Sequence, residues 1–79
     1  MRLEIVTPEK HIYSGDIVSA KFPAADGLFG VLKNHAPMIS TLIEGKIIIV
    51  EEENKNEKVI EIKGGVVEIL NNRIIVLAE

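Results

Sequence analysis

An all-β fold is predicted for this chain, from three observations. Short runs rich in Val, Ile, Leu and Tyr recur from end to end. Gly, Pro, Asn and Asp interrupt them at strand-length intervals. No convincing stretch carries apolar residues at helical spacing. Recurrent short strands with frequent turn signals point to a sandwich or barrel.

Taken in order, Leu3–Thr7 alternates loosely and reads as a strand, broken by Pro8-Glu9-Lys10. His11–Gly15 is a second extended piece, with Gly15 read as a turn, and Asp16–Phe22 follows as a strand. Pro23–Gly27 is a turn by its Pro and its Asp-Gly pair. Leu28–Leu32 and Met38–Ile43 are short strands around a shaped corner, in which Lys33-Asn34 turns the chain and Pro37 pushes Ala36 toward extended backbone. Glu44-Gly45 is a tight turn. Lys46–Glu52 pairs with Glu57–Lys63 across a polar hairpin loop, Gly64-Gly65 marks a bulge or sharp turn, and Val66–Leu70 pairs with Arg73–Leu77 around Asn71-Asn72.

Composition narrows the function. The chain has 79 residues, of which 47% are hydrophobic, so it is one small globular domain (residues 1–79) with enough apolar material for a core. Twelve acidic residues against nine basic ones give a net charge of −3, which disfavours a nucleic-acid binder. Cysteine is absent, consistent with a reducing compartment. The longest apolar runs, Ile47–Val50 and Ile74–Ala78, are too short for a membrane-spanning helix. The start of the chain goes directly into a strand pattern, with no signal-peptide signature.

Chemistry is hard to find in these residues. No GxxxxGK[ST] string occurs, and neither glycine cluster opens a helix that would cradle phosphate. His11 and His35, with no Cys, make a poor zinc set, so no metal and no cofactor are expected. Ser40 with His35 and Asp26 can be imagined as a triad, but coincidence is the better account, and no catalytic residue is assigned. The Glu51-Glu52-Glu53 run reads as a solvated hairpin tip. One pattern does inform: Ile74 and Val76 alternate with Ile75 and Leu77, and Ile47 and Ile49 with Ile48 and Val50, so both faces of two strands are apolar. A sandwich strand needs only one apolar face. The outer side chains either lie exposed, as many do on folded proteins, or form a docking patch. His35 is equally open to two readings, a turn histidine bonded to a nearby carbonyl or a contact facing a partner.

The segments LEIVTPEKHIYSGDIVSAKFP, GLFGVLKNHAPMISTLIEGKIIIV and EIKGGVVEILNNRIIVLAE resemble, in order, the N-terminal domain of epsilon subunits of F-type ATP synthases. Tyr13-Ser14-Gly15, the G-x-x-G…HAP stretch and Gly64-Gly65 with VVEI…VLAE are the most specific parts. The resemblance implies a flattened sandwich of two roughly five-stranded, mostly antiparallel sheets. It further implies a non-catalytic central-stalk subunit that binds gamma and the c-ring and helps couple proton flow to ATP synthesis. Such a subunit is peripheral, at the cytoplasmic face of the bacterial plasma membrane, and reaches the membrane only through the complex. By motif position, Gly27, Leu28, Phe29, Gly30, Asn34, His35, Ala36 and Pro37 would form the c-ring and gamma contact loop, and Thr7, Ser40 and Lys63 would face gamma.

Two departures fall in that loop: Leu28 stands where an acidic residue is usual, and Lys33-Asn34 where Pro-Gly is usual. Family members also continue into a helical hairpin that can inhibit hydrolysis or bind ATP. With Glu79 as the last residue, neither property is expected of this polypeptide. A free-standing carrier or peptide-binding module, with Lys55 or Lys58 at a hairpin tip, is the alternative from another class, and an enzyme is the third.

Overall fold

The computed structural model describes residues 1–79, which form eight strands and no helix. These are β1 (Arg2–Val6), β2 (His11–Ala24), β3 (Gly27–Leu32), β4 (Met38–Leu42), β5 (Gly45–Glu51), β6 (Glu57–Ile62), β7 (Gly65–Leu70) and β8 (Arg73–Ala78). Hydrogen bonding follows one path, β4-β7-β8-β1-β2-β5-β6, with β3 also paired to β2. Every ladder is antiparallel except β1 with β8. The all-β, mostly antiparallel expectation therefore holds. In place of two separate sheets of about five strands, the ladders join into a single curled sheet of eight.

β2 is the joint. At about 3.3 Å per residue, fourteen residues would reach roughly 46 Å if straight, yet the longest dimension of the molecule is 27 Å. The strand must bend, and it does so where its register against β5 shifts, between Ile17 and Ser19. The extra residue also changes which side chains face inward. Ile17 is buried before the shift, and Ala20, Phe22 and Ala24 after it. Up to Asp16 β2 pairs with β1, from Ile17 with β5, and from Ser19 with β3 as well.

The core lies inside the curl. Leu3 and Ile5, Ile47 and Ile49, Val67 and Ile69, and Ile74 and Val76 alternate inward along their strands with little or no exposure. No polar or charged residue is buried with them, so every internal polar demand is met by the backbone ladders. Each such side chain stabilises the fold by roughly 1.5–3 kcal/mol relative to leaving it in water.

Of two expected glycine turns, the one at Gly15 is absent and the one at Glu44-Gly45 falls a residue earlier, at Ile43-Glu44. Gly15 sits inside β2, and a Cβ there would lie 2.9 Å from the Tyr13 hydroxyl. Its glycine makes room for the Tyr13 ring, two residues back on the same face, rather than a change of direction. Gly45 is likewise within β5, where a Cβ would meet Pro23 at 2.9 Å. The Glu44 bend precedes it. Gly65 opens β7 with φ 151°, and a Cβ there would collide with the Leu77 carbonyl.

Candidate partner-binding surface

The stretch Gly27–Pro37 is a strand followed by a loop, and its two ends are far apart. β3 spans six residues, so its termini are separated by about 17 Å. Its first residues pair with the end of β2, Gly27 with Ala24 and Leu28 with Pro23. The Pro23 carbonyl accepts a hydrogen bond from the Ile43 amide at 3.0 Å. The last residues of β3 lead into the Lys33–Pro37 loop, where the Asn34 amide donates to Asn72 Oδ1 at 3.0 Å. Ile43 follows the Leu42–Gly65 pair and Asn72 follows the Leu70–Arg73 pair. These are opposite ends of β7.

The predicted contact residues thus divide. At the Ile43 end lie Gly27, whose φ is 120°, and Leu28, 62% exposed. Gly30 is exposed along β3, and Phe29 turns inward, its ring centroid 5.5 Å from that of Phe22. At the Asn72 end lie Asn34, His35, Ala36 and Pro37. Asn34 has φ 66°, which Asn accepts more readily than most side chains. The His35 amide donates to the Leu32 carbonyl at 3.2 Å. His35 Nδ1 stands 2.7 Å from the Ala36 carbonyl oxygen. That oxygen can only accept, which assigns the ring proton to Nδ1. The turn-histidine interpretation thus has a bond behind it, and the ring is half-buried with Nε2 left for other partners.

Thr7 and Lys63 lie toward the same end of the sheet as Gly27 and Leu28, whereas Ser40 lies midway along β4. Thr7 Oγ1 organises the turn after β1, accepting from the Glu9 and Lys10 amides at 3.3 and 3.2 Å. Ser40 is half-buried in β4 opposite Val67. Lys63 is exposed in the bend before β7. Thr7 and Lys63 share the end of the sheet at which Ala78 pairs with Gly65.

Between the two ends, β4, β7, β8 and β1 present an outer face. Thr41–Val66–Leu77–Val6 and Ile39–Glu68–Ile75–Glu4 are neighbouring rows by register. Ile39 is 70% and Leu77 58% exposed. Val66 and Leu70 are exposed as well. The doubly apolar pattern of β8 therefore does bring apolar side chains to the surface. On β5 the outer Ile48 and Val50 are half-buried, beside an exposed Val59. Ile39 and Leu70 were not singled out as contact residues in the sequence, and Asn72 was read there only as a turn residue. Their importance comes from pairings across the sheet, which local spacing does not carry.

The remaining polar cluster is of another kind. Tyr13, on β2 before the bend, donates to Glu51 Oε2 of β5 at 2.8 Å. Lys58 Nζ stands 3.6 Å from the same oxygen and 5.8 Å from the Tyr13 ring centre. Burial first, and then the bond to Glu51, push the Tyr13 hydroxyl up to about 12. That bond also holds the Glu51 carboxyl below the usual carboxylate range. A stable tyrosine–carboxylate pair tied to a lysine is suited to fixing backbone, not to moving protons near neutral pH.

Comparisons with known proteins follow the same line. The family described as "ATP synthase, Delta/Epsilon chain, beta-sandwich domain" matches residues 1–79. The chain is 42% identical to the ATP synthase epsilon chain of Campylobacter curvus over 79 residues, all of this chain and 60% of that one. It is 40% identical to the ATP synthase epsilon chain of Chlorobium limicola over 78 residues, 99% of this chain and 88% of that one. The fold is shared with a chain of the Euglena gracilis mitochondrial ATP synthase, in a structure described as OSCP/F1/c-ring (TM-score 0.82, 18% identity, 96% of this chain and 48% of that one). It is also shared with a chain of the Tetrahymena thermophila mitochondrial ATP synthase central stalk and c-ring (TM-score 0.80, 15% identity, 99% and 62%).

Proposed function

The chain belongs to the ATP synthase delta/epsilon-chain β-sandwich family, and from that premise we propose that it serves as a rotor subunit of an F-type ATP synthase. In this reading it binds gamma and the c-ring, turns with them, and helps couple proton translocation to ATP synthesis without a catalytic site of its own. It sits at the cytoplasmic face of a bacterial membrane and is held there by its partners. The chain spans about 60% of the length of the Campylobacter relative, so this role describes what the sandwich contributes.

One observation carries the reading beyond family membership. Ile39, Val66, Leu70 and Leu77 are exposed on one side of the sheet: Val66 pairs directly with Leu77, and Ile39 lies diagonal to Val66 and Leu70 across its own partner Glu68. Several large apolar side chains gathered on one outer face mark a surface that is covered in use. The Lys33–Pro37 loop, with the half-buried His35, lies at one end of that face and supplies a shaped polar tip.

Co-purification of the 79-residue chain with purified gamma and with detergent-solubilised c-ring tests the reading. Retention by gamma, strengthened when the c-ring is present, is the expected result. Retention by neither would overturn it, as would substrate turnover by the chain alone.

A further inference from the structure

We propose that Asn72 is a positioning residue for the Lys33–Pro37 loop, and that the β7–β8 turn and this loop act as one contact element. The inference rests on the rotor-subunit reading for its purpose, but its geometry stands independently. Asn71 and Asn72 occupy the β7–β8 turn with φ of 53° and 62°. These are the two positive values that a two-residue primed turn demands. The backbone carbonyl of Asn72 accepts from the Arg2 amide at 3.0 Å, so the turn is tied to β1 as well. The backbone that carries its side chain is therefore anchored, and the Asn34 amide donates to the side-chain oxygen.

That bond joins residues 38 apart in sequence. It reaches the loop at Asn34, itself at positive φ and one residue before His35. The loop has one other tie to the fold through its own amides, the bond from His35 to the Leu32 carbonyl, which closes only its own turn. Apart from that turn and the entry into β4 at Met38, which pairs with Ile69, the Asn72 contact is what ties the loop backbone to the β7–β8 turn. A loop that must present a shape gains affinity by being held in that shape beforehand. Asn72 supplies the hold, and the turn that carries it adds Asn71 to the same exposed tip.

The variants separate backbone from side chain. Asn72→Gly keeps the positive φ and removes the acceptor, Asn72→Asp keeps an acceptor at the same reach, and Asn71→Gly leaves the bond untouched. Amide exchange of the free 79-residue chain, followed by NMR, reads the hold directly. Binding to purified gamma plus c-ring reads its purpose. In N72G the Asn34 and His35 amides should exchange about 5–10-fold faster, the loss expected for one net hydrogen bond, and partner affinity should fall by a similar factor. N72D and N71G should match the parent in both.

Unchanged exchange in N72G would overturn the hold. Faster exchange with unchanged affinity would overturn its role in contact, while the rotor-subunit reading stands. A parent chain that binds neither partner would overturn that reading and the role together.

Discussion

At the scale of single residues, the glycines separate two physical demands. Gly65 has φ 151° and a Cβ there would collide with the Leu77 carbonyl oxygen, which is backbone of the adjacent strand. Gly27 has φ 120° and nothing within 4 Å. Gly65→Ala should therefore destabilise the chain by at least about 3 kcal/mol, through overpacking added to strain. Gly27→Ala should lose only the conformational cost, about 1–2 kcal/mol. Urea unfolding of both variants checks the order, and equal losses would contradict it. Gly15 belongs to a third category, because the atom in the way is the tip of a side chain. Gly15→Ala should displace the Tyr13 hydroxyl from Glu51 and cost about 1 kcal/mol, and should cost less in a Tyr13→Phe background. A double-mutant cycle measures that coupling. Gly15, Gly27, Gly45 and Gly65 were all visible in the sequence. Which of them turned the chain and which admitted a neighbour was not, because the neighbour of Gly65 comes from Leu77 and that of Gly45 from Pro23.

At the scale of elements, β2 is where local reading and tertiary structure part. The sequence shows two extended pieces divided at Gly15, whereas the strand runs unbroken from His11 to Ala24 and bends at Ile17–Ser19. The bulge has no Gly or Pro to announce it. Its only trace is the change of apolar phase from Ile17 to Ala20 and Phe22, which becomes legible once burial is known. The other strands were read to within a residue or two, because each alternation or apolar run is bounded by strong turn chemistry. The Tyr13–Glu51 bond spans the bend, and it gives β2 a pH signature. Glu51 has its carboxyl held low in the folded chain, so its contribution is present above the ordinary value of 4.5 and is lost as pH falls through the lowered folded value. Tyr13 is raised, so its contribution is complete below 10 and disappears as pH rises from there toward about 12. Stability should thus decline at both extremes, and Y13F should flatten the alkaline arm and weaken the acidic one. Thermal unfolding across pH 3 to 12, comparing Y13F with the parent, checks this, and parallel curves would count against the bond.

At the scale of the whole molecule, a sandwich with an apolar core is also apolar outside, and this sets what the free chain can do. On β1 the alternation with Arg2 and Glu4 makes Leu3 and Ile5 legible as inner residues, whereas β8 is apolar on both faces, and only the fold shows that Ile74 and Val76 point inward. The site was legible only as a list. Sequence order joined Leu28 to His35, while the fold sends them to opposite ends of β7 and brings Asn72 to the loop instead. If the β4–β7–β8–β1 face is where the rotor grips the chain, its outer side chains should matter little to folding and much to binding. Ile39→Ser and Leu77→Ser remove side chains that are already 70% and 58% exposed, so unfolding free energy should move by no more than about 0.5 kcal/mol. Affinity for gamma should fall about 5–10-fold for each, as expected when an apolar contact is lost from the centre of an interface. Val59→Ser serves as the comparison, because Val59 is also half exposed and lies on β6, paired with β5 and outside the β4–β7–β8–β1 face. Loss of affinity in V59S with none in I39S or L77S would move the grip to the other face. No loss in any of the three would leave the ends of the sheet as the whole of the contact. Circular dichroism alongside the binding measurement guards against the one ambiguity, since a variant that unfolds would lose affinity for a reason unrelated to its face.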